Sequence, residues 1–587
     1  MFAKILIANR GEIAVRVIRT AREMGIATVA VYSEPDRDAL HVRMADEAYF
    51  IGPAAPSQSY LNIDSLLDVA RRSGAQAIHP GYGFLAENAG FARRIAAANL
   101  TWIGPHPDAI DAMGDKLRAR QTMQRANVPC VPGGTEAIGD IAGALAAAER
   151  YGLPLALKAS GGGGGKGLKI ARTMDEVGPA FTTATREAEA YFKNPAVYAE
   201  RYLDNPKHIE LQILADKHGN VVHLGERDCS LQRRHQKLLE EAPAQIPLGV
   251  RLALRDAGLR AARAIAYDSV GTIETLVSGT DFFFLEMNTR IQVEHTVTEM
   301  IAGIDLVREQ IRVAAGETLG FSQNDIALRG AAIEGRVNAE EPAANFAPAP
   351  GTIRTYREPA GPGVRIDSAA FPGVTISADY DSMIAKLIVW APDRAQALAR
   401  FARAIDEYVI EGLPTTLPLL RALCDAPSVV ENTYGTATLE LFAKSHFAAM
   451  PKEPAIPQGV TAPGIAPSEA QTVRIEVDDR LYRVRLIDPP ASFARRAAAP
   501  ERVVRPVAPK KSDSRAVGND IVSPMHGAVL EMNVAAGDTV AQNQVIAVVE
   551  AMKMMNEIRA HKAGTIKSVH VAAGETIEAN APLVTLN

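Results

Sequence analysis

The sequence predicts an α/β protein of several domains that ends in a small all-β domain. A strand, a helix and a second strand open the chain, five consecutive glycines join two strand-like segments, and an internal repeat fills the last part. At 587 residues the chain is several times the usual length of a single domain, so we expect three or four domains with well-filled cores.

The composition is that of an ordinary soluble globular protein, with 47% hydrophobic and 22% charged residues. The net charge of -5 supplies no basic field, which argues against nucleic-acid binding. Cys130, Cys229 and Cys424 are far apart and follow no metal-ligand spacing. We therefore expect buried, unpaired thiols in a reducing compartment rather than a disulfide framework.

The apolar run at residues 4–8 is too short for a signal peptide and is typical of a first β-strand. Nowhere do 18 apolar residues run together, so we expect no membrane span. The cytoplasm is the expected location of such a chain.

The N-terminal region follows a βαβ pattern. After the first strand, apolar residues at helical spacing predict a helix over 11–24, and a second strand is predicted over 28–32. Parallel sheets place ligand-binding loops at the C-terminal ends of strands, which makes the loop from Asn9 to Glu12 a candidate site. A simple strand-to-helix turn explains that loop equally well.

The second α/β region places its glycines between two strands, predicted over 153–158 and 168–171. The loop from Ser160 to Gly167 is nearly free of side chains, so several backbone N–H groups can approach one phosphate. It is not a Walker A loop, because no Ser or Thr follows and the next segment is a strand. A flexible lid over a nucleotide fits better, and a mere linker is the alternative.

Two acidic residues lie on apolar segments downstream of the glycines. Glu274 ends the segment 271–274, and Glu286 lies in the segment 284–288. Carboxylates on two neighbouring strands are hard oxygen ligands of the kind that suits Mg2+ bridging nucleotide phosphates. The pattern predicts a site for a metal and a nucleotide.

Strands and helices alternate again in the following region, where Asp393 is a predicted N-cap for a helix over 394–408. Pro, Ala and Ser then accumulate at 451–467 and 489–514, which is typical of linkers. Between them, alternating apolar residues over 472–487 predict a β-hairpin.

The last part of the chain contains a repeat. The segment 534–540 recurs at 571–577, and the same offset maps Gly527 onto Gly564. We expect two copies of one β-unit related by a pseudo-two-fold axis. The turn between the copies carries Lys553 between two methionines, where it offers an accessible amine; a solvated lysine in a Met-rich turn is the alternative.

This tail resembles the biotin carrier domain of biotin-dependent carboxylases. The resemblance rests on Ala-Met-Lys-Met at 551–554 and on the upstream Pro524-Met525. It implies that a biotin protein ligase attaches biotin to Lys553, on an arm that swings between distant sites. Lipoyl domains share the fold but lack the flanking methionines, so biotin is favoured.

The chain from Met1 to about Phe447 resembles the biotin carboxylase branch of the ATP-grasp fold. Four long motifs in family order carry this resemblance, at 7–14, 79–88, 227–237 and 286–295. The implied regions are a βαβ N-terminal domain at 1–112, an ATP-grasp domain at 113–325 with its lid at about 134–203, an α+β C-terminal domain at 326–448, a linker at 449–519 and an all-β biotinyl carrier domain, a flattened barrel, at 520–587.

The resemblance implies a role for each residue that matches a family motif. ATP contacts are implied for Lys116, Lys158, Gly163, Gly164, Gly165, Lys166, Gly167, Glu200, Leu203, His208, Gln232, His235 and Leu276. Bicarbonate contacts are implied for Lys237, Arg290, Gln292, Val293 and Glu294, and coordination of Mg2+ or Mn2+ for Glu274, Glu286 and Asn288. Catalytic roles are implied for Glu294, Arg290, Arg336 and Lys237.

In the implied mechanism Glu294 deprotonates bicarbonate, which attacks the γ-phosphate of ATP. The carboxyphosphate so formed breaks down to CO2 and phosphate, the phosphate takes the proton from the biotin ureido nitrogen, and Arg336 stabilises the enolate oxygen. Bicarbonate is an anion and a poor electrophile, which explains the need for cationic residues in a dehydrated site. For Glu87 and His235 a structural role is an equal alternative.

Nothing between Phe447 and Val522 is long enough for a second active site, so the resemblance implies a separate carboxyltransferase β subunit. The compact linker resembles that of bacterial α subunits acting on acetyl-CoA and propionyl-CoA; 3-methylcrotonyl-CoA or a long-chain acyl-CoA is the alternative. The family suggests homodimers through the biotin carboxylase domain within a larger complex such as α6β6. The hairpin at 472–487 is a candidate docking element.

Two other classes of protein are weighed against this interpretation. Another ATP-grasp ligase, such as a carbamoyl-phosphate-forming enzyme, would lack Lys553 and Arg336. A non-catalytic biotin scaffold would tolerate loss of Glu294, which the sequence retains.

Overall fold

The computed structural model describes residues 1–161, 167–234, 236–449, 471–477, 480–486, 519–525, 527–551, 554–578 and 580–587. Two compact units are distinguished by their internal packing. One comprises Met1–Ala448 together with Ile521–Asn587, and the other comprises Ala449–Asp520.

The N-terminal region is a parallel sheet with helices on both faces, in the strand order β3-β2-β1-β4-β5. Its strands are β1 (Lys4–Ile7), β2 (Ala27–Ser33), β3 (Glu47–Gly52), β4 (Ala77–His79) and β5 (Thr101–Trp102). Its helices are α1 (Gly11–Glu23), α2 (Leu40–Met44), α3 (Ile63–Ser73), α4 (Ala89–Ala97) and α5 (Pro107–Gly114). The predicted βαβ opening is confirmed to within a residue at each end.

Two loops of this sheet meet at the C-terminal ends of β1 and β4. The side-chain nitrogen of Asn9 donates to the carbonyl oxygens of Pro80 (2.7 Å) and Tyr82 (2.8 Å). The first loop is therefore tied to the second by two hydrogen bonds.

The next region is a small antiparallel sheet, β7-β6-β8, covered by two helices. The region contains α6 (Lys116–Arg125), α7 (Ile141–Tyr151), β6 (Leu155–Ala159), β7 (Leu168–Ala171), α8 (Met174–Phe192) and β8 (Val197–Arg201), and the two helices that cover the sheet are α7 and α8. The two strands predicted on either side of the glycine run are present as β6 and β7, and they pair with each other from Leu155 opposite Ala171 to Lys158 opposite Leu168.

Residues 205–449 contain the largest sheet. The strands are β9 (Lys207–Ala215), β10 (Val221–Arg233), β11 (Gln236–Ala242), β12 (Ser269–Ser278), β13 (Asp281–Asn288), β14 (Ala331–Asn338), β15 (Glu340–Glu341), β16 (Ala347–Pro348), β17 (Gly351–Thr352), β18 (Thr355–Arg357), β19 (Val364–Ser368), β20 (Thr375–Ile376), β21 (Met383–Ala391) and β22 (Val409–Glu411). The helices are α9 (Leu248–Ala264), α10 (His295–Ala302), α11 (Leu306–Ala314), α12 (Arg394–Glu407), α13 (Leu417–Cys424), α14 (Pro427–Val430) and α15 (Thr438–Ala449).

Eight of these strands form one antiparallel sheet in the order β13-β12-β9-β10-β11-β14-β21-β19. Strand β11 pairs with β14 through four residue pairs, so the ladder continues from the predicted ATP-grasp region into the predicted C-terminal region. Asp393 caps α12 by accepting from the backbone N–H of Gln396 (2.9 Å), as predicted. The remaining strands form three two-stranded ladders at the periphery.

The unit Ala449–Asp520 contains an antiparallel pair, β23 (Gln471–Val477) and β24 (Arg480–Leu486). Gln471 lies opposite Leu486 and Val477 opposite Arg480, which confirms the predicted hairpin pairing. The predicted linkers lie almost wholly outside the described residues.

The C-terminal domain consists of two four-stranded sheets around an apolar core, in the orders β25-β32-β30-β27 and β29-β28-β26-β31. Its strands are β25 (Asp520–Val522), β26 (Gly527–Met532), β27 (Thr539–Val540), β28 (Val545–Ala551), β29 (Met554–Arg559), β30 (Gly564–Val569), β31 (Thr576–Ile577) and β32 (Pro582–Leu586). The short strand of each sequence copy pairs with the long strand of the other: β27 with β30 and β31 with β26. This exchange confirms the repeat.

The three cysteines are free thiols, of which Cys229 and Cys424 are buried and Cys130 is half-buried. Among the described residues, none of the helices combines the length and the apolar character that a bilayer crossing requires.

Candidate active site

A cavity of about 600 Å3 lies between the small β7-β6-β8 sheet and the eight-stranded sheet. Every described residue with an expected role lines it, namely Lys116, Lys158, Gly167, Glu200, Leu203, His208, Gln232, Lys237, Glu274, Leu276, Glu286, Asn288, Arg290, Gln292, Val293, Glu294 and Arg336. The expected site residues Gly163, Gly164, Gly165, Lys166, His235 and Lys553 lie outside the described residues.

Four of the lining residues, Lys237, Glu274, Glu294 and Arg336, form a charged group with the buried Glu210, and we call these five residues the inner cluster. The Lys237 Nζ lies 2.9 Å from Glu274 Oε1 and 2.8 Å from Glu294 Oε1, and it also contacts the Glu210 carboxylate. Arg336 Nη2 lies 2.9 Å from the other oxygen of Glu294. The Glu294 carboxylate is thus held by a different cation at each oxygen.

Strand register explains why these charges meet. Glu210 on β9 lies directly opposite Glu274 on β12 and opposite Arg227 on β10, and Glu274 in turn lies opposite Glu286 on β13. Directly opposed residues in an antiparallel pair present their side chains on the same face. The four residues therefore form a row across the sheet, and Lys237 from β11 reaches into it.

Buried ions of one sign would repel one another without such partners. Arg227 has a fully buried side chain that donates to Glu210 Oε2 from both Nε (3.2 Å) and Nη2 (3.0 Å). It also donates to Gln212, Thr272, Gln292 and Thr298. Arg227 therefore links β9, β12, α10 and the loop that contains Gln292.

The pKa of Glu294 is set by two opposing effects. Burial acts to raise it, but Lys237, Arg336 and Arg227 outweigh burial and hold the pKa of this carboxyl below its ordinary value. Burial also acts to lower the pKa of Lys237, yet the carboxylates of Glu210, Glu274 and Glu294 raise it well above its ordinary value. Both groups are therefore ionised at neutral pH.

The Glu210 carboxyl behaves differently. Burial raises its pKa, and the neighbouring Glu294 and Glu274 carboxylates reinforce this shift against Lys237 and Arg227. The inner cluster thus contains carboxyls of opposite pKa direction. Glu274 and Glu294, whose pKa values are lowered, are ionised at neutral pH, and Glu294 is the one of the two that lies between Lys237 and Arg336.

Two ion pairs nearer the small sheet form what we call the outer pairs. Lys116 Nζ lies 2.6 Å from Glu286 Oε2, and Lys158 contacts Glu200 on the neighbouring strand β8. Arg120 also binds Glu200, at 3.0 Å. Each lysine has one carboxylate partner, so a bound phosphate group can replace that partner.

The oxygen donors on β12 and β13 fit a hard divalent cation. Glu274 lies opposite Glu286, and Asn288 follows on the same strand with its amide nitrogen 2.8 Å from Glu274 Oε1. Two carboxylates and an amide oxygen match the ligand chemistry of Mg2+. His208 Nε2 lies 3.0 Å from Glu274 Oε2, so this imidazole contacts the acidic row as well as lining the cavity.

Several residues at the site were not assigned by sequence reasoning. Glu210 and Arg227 are fully buried and contact residues that line the cavity, and Glu240 accepts from Arg336 Nε at 2.7 Å. Glu87, for which a structural role and a direct contact are equal alternatives, accepts from the backbone N–H of Thr289 and from Arg290 Nε, each at 3.1 Å. For Glu210, Arg227 and Glu240 the available signal in the sequence is a charged residue within a predominantly buried strand.

The C-terminal domain presents its own candidate site at one hairpin. Strand β28 ends at Ala551 and β29 begins at Met554, and these two residues are paired. Glu550 pairs with Met555 just below them. In sequence, Lys553 lies between β28 and β29.

Comparison with known proteins covers nearly the whole chain. Four family models match: the biotin carboxylase N-terminal domain (residues 1–110), the ATP-binding domain of the carbamoyl-phosphate synthase L chain (115–322), the biotin carboxylase C-terminal domain (334–441) and a biotin-requiring enzyme domain (519–586).

Individual relatives agree with these matches. The biotin-dependent acyl-coenzyme A carboxylase alpha3 subunit of Mycobacterium leprae is 44% identical over 582 residues, covering 95% of this chain and 94% of that protein. Biotin carboxylase 1 of Bacillus subtilis is 51% identical over 445 residues, 75% of this chain and 99% of the relative. The crystal structure of the biotin carboxylase domain dimer of Hydrogenobacter thermophilus 2-oxoglutarate carboxylase, with MgADP, ADP and bicarbonate, has a TM-score of 0.74 at 48% identity, covering 77% of this chain and 100% of that one.

Proposed function

Because the chain belongs to the α subunits of biotin-dependent acyl-CoA carboxylases, we propose that its inner cluster activates bicarbonate for the ATP-dependent carboxylation of biotin on Lys553. The observation that carries this proposal is the Glu294 carboxylate, held by Lys237 at 2.8 Å and by Arg336 at 2.9 Å. A buried, ionised base between two cations is suited to deprotonating an anion that those cations also attract.

The residues around Glu294 account for the binding of bicarbonate. Lys237 and Arg290 supply positive charge, Gln292 and Val293 lie on the same loop, and Glu294 accepts the proton of bicarbonate so that one of its oxygens can attack the γ-phosphorus of ATP. Arg290 is kept in place by Glu87 and by Asn288 Oδ1, which accepts from Nη2 at 2.8 Å. The bond to ADP breaks as the new P–O bond forms, and the resulting carboxyphosphate releases CO2 and phosphate.

The outer pairs account for the binding of ATP. Lys116 and Lys158 exchange their carboxylates for phosphate oxygens, with Gly167 at the end of the glycine loop beside them. Glu200, Leu203, His208, Gln232 and Leu276 line the part of the cavity that we assign to adenine and ribose. Glu274, Glu286 and Asn288 would hold Mg2+, which supplies positive charge between the phosphates when bound.

Arg336 is placed to act on the acceptor. Its guanidinium is fixed by Glu240 at 2.7 Å and by Glu294 at 2.9 Å, and it borders the cavity. Biotin, when attached to Lys553, supplies the ureido nitrogen that receives the carboxyl group. We assign Arg336 to the ureido oxygen of biotin, where its guanidinium would stabilise negative charge.

The second half of the reaction requires a carboxyltransferase β subunit, and we propose acetyl-CoA or propionyl-CoA as its substrate. The identity to the Mycobacterium leprae acyl-coenzyme A carboxylase alpha3 subunit, which extends over 95% of this chain, supports an acyl-CoA. A larger acyl-CoA, such as 3-methylcrotonyl-CoA or a long-chain acyl-CoA, is the alternative. We further propose homodimers of the biotin carboxylase region within an α6β6-type complex, in the cytoplasm, with the domain limits given above.

The first test is intact-mass spectrometry of the full chain after co-expression with a biotin protein ligase. We expect a mass gain of one biotin that Lys553→Ala abolishes. Lys567→Ala is the matched control, because Lys567 is an exposed lysine on β30 of the same domain. A gain that persists in Lys553→Ala, or is lost in Lys567→Ala, would contradict the assignment of the attachment site.

The substrate is tested with the complex formed on co-expression with a carboxyltransferase β subunit. We expect carboxylation of acetyl-CoA or propionyl-CoA, dependent on ATP and bicarbonate and lost in Lys553→Ala. Turnover of only 3-methylcrotonyl-CoA or a long-chain acyl-CoA would establish the alternative. ATP cleavage at a rate that does not depend on bicarbonate would contradict the proposed function.

A further inference from the structure

Lys386 is a fully buried lysine whose position lies outside the set of residues assigned above. It lies on β21, directly opposite Arg336 on β14 and directly opposite Asp367 on β19. Its Nζ donates to the carbonyl oxygen of Val293 at 2.8 Å. Burying an ammonium group is costly unless it is paired, so the sheet holds this lysine there only because its partners compensate.

The carbonyl that Lys386 binds belongs to the peptide unit that joins Val293 to Glu294. Glu294 is also the N-cap residue of α10. Fixing this carbonyl fixes the orientation of the peptide plane from which the Glu294 side chain projects. The backbone before Glu294 and its carboxylate are therefore held by two opposed residues of one strand pair, Lys386 and Arg336.

The partners of Lys386 come from other parts of the chain. Glu12 in the first turn of α1 places Oε1 at 3.4 Å from Nζ, and the Tyr82 hydroxyl donates to that same carboxylate oxygen. Asp367 Oδ2 lies further away, at 3.9 Å, and its carboxylate is bound by Arg365 through both oxygens. Glu12 is therefore the nearest counter-charge, supplied by the N-terminal region.

Lys386 also stays charged in this environment. Burial acts to lower its pKa, but Glu12, Glu334 and Asp367 together raise the pKa above its ordinary value. An ammonium group donates a stronger hydrogen bond to a carbonyl than a neutral amine does.

We propose that Lys386 is a positioning residue, which holds the Val293–Glu294 peptide so that the Glu294 carboxylate lies between Lys237 and Arg336, with Glu12 as its counter-charge. The inference rests on the proposed role of Glu294 as the base. It explains why a lysine is buried at this position of β21, where an aliphatic side chain would satisfy the packing.

The test compares full-length Lys386→Met with the wild-type protein in bicarbonate-dependent ATP cleavage on free biotin. A misplaced base slows the reaction of bound bicarbonate, so we expect kcat/KM for bicarbonate to fall by roughly 30- to 100-fold. The dissociation constant of ADP, measured by calorimetry, is expected to stay within about three-fold because the outer pairs are untouched. A purely structural role would instead weaken both quantities together or leave both unchanged.

Two further variants keep the test decisive. Glu12→Gln retains the Lys386 hydrogen bond, and we expect a smaller loss, of roughly three- to ten-fold in kcat/KM for bicarbonate. If Lys386→Met leaves Glu12 unpaired and the protein does not fold, the double variant Glu12→Gln/Lys386→Met removes both charges. We expect this double variant to show the full loss, and wild-type kinetics in it would overturn the inference.

Glu294→Gln, assayed in parallel, separates this inference from the proposed function. If Glu294→Gln is inactive while Lys386→Met has wild-type kcat/KM for bicarbonate, only the positioning role is wrong. If Glu294→Gln keeps the wild-type rate, the proposed base is wrong and the role of Lys386 is overturned with it.

Discussion

The inner cluster and the outer pairs use the same types of side chain but are held in different ways. In the inner cluster, Lys237 contacts three carboxylates and Glu294 is bound by two cations. In the outer pairs, Lys116 and Lys158 each have one carboxylate partner. The end of the cavity at the inner cluster, which we call the fixed end, is therefore held by several ion pairs before substrate binds. At the other end, each lysine of the outer pairs would exchange its single carboxylate partner for phosphate in the proposed function.

This difference follows from where the charges sit in the fold. The inner cluster spans strands of one continuous sheet, whose register fixes the distances between the side chains. The outer pairs connect α6 to β13 and β6 to β8, so their carboxylates are shared with the predicted metal site or with Arg120. In the proposed function Lys116 leaves Glu286 to bind phosphate, and that carboxylate would then be available to a cation, which would couple nucleotide binding to metal binding.

The largest expected loss of activity tests whether the inner cluster activates bicarbonate. In Glu294→Gln the amide cannot accept the proton of bicarbonate, so we expect bicarbonate-dependent ATP cleavage to fall by roughly 100- to 10,000-fold. The affinity for ADP should not change, since the outer pairs are intact. A loss of ADP binding of similar size would show that the two ends do not act separately.

The next effect compares stability at the two ends with matched variants. Lys237→Met leaves buried carboxylates without their shared cation, and we expect a loss of about 3–5 kcal/mol in the free energy of unfolding. Lys116→Met breaks a partly exposed pair, for which about 1 kcal/mol or less is expected. Thermal unfolding of both variants beside the wild-type protein measures the difference, and equal losses would contradict the comparison.

The same Lys116→Met variant should reveal the exchange in its kinetics. Without the ammonium group a charged hydrogen bond to phosphate is lost, so we expect the KM for ATP to rise by roughly ten-fold or more. The KM for bicarbonate should change little. A rise in the KM for bicarbonate instead would place Lys116 with the fixed end.

The smallest expected effect is on the pH dependence of the rate, and it concerns Glu240, which binds Arg336. Burial raises the pKa of Glu240 to about 7, although Arg336 opposes this shift. As the pH rises through this value Glu240 becomes ionised and its hold on Arg336 strengthens, so we expect the rate to increase with pH. Rates measured at a fixed bicarbonate concentration should lose this dependence in Glu240→Gln. If the rate of Glu240→Gln still falls at low pH as in the wild-type protein, the ionisation belongs to another group.

Much of the fold could be predicted from the spacing of apolar residues and from the positions of turn-forming and helix-capping residues. The βαβ opening, the strands that flank the glycine run, the capped helix at 394–407, the hairpin pairing and the C-terminal repeat all appear in the structure. These features depend on neighbours close in sequence, or on a repeat that is visible by inspection. The acidic residues Glu274 and Glu286 were expected on neighbouring strands and are directly opposed.

The partners of the site residues could not be predicted in the same way. The contact between Arg227 and Glu210 depends on the register of β9 with β10, and the contact between Lys386 and Val293 joins strand β21 to a loop 93 positions earlier. The order of the eight strands, in which neighbours such as β11 and β14 are far apart in sequence, depends on long-range contacts that local spacing does not indicate. The family motifs assigned roles to residues that line the cavity. They assigned none to Glu210, Arg227 and Glu240, the buried charged residues that bind those lining residues.

The ladder between β11 and β14 has a consequence for how this protein can be divided. Four backbone-paired positions join the two strands, with Leu239 opposite Gly335 and Ala242 opposite Ala332. A fragment ending near residue 325 would carry β11 as an open edge with unsatisfied N–H and C=O groups, in a segment that is almost wholly buried. Such an edge invites pairing with another molecule and aggregation. Fragments prepared for crystallography or binding assays should therefore extend beyond β21, even though a family boundary falls earlier.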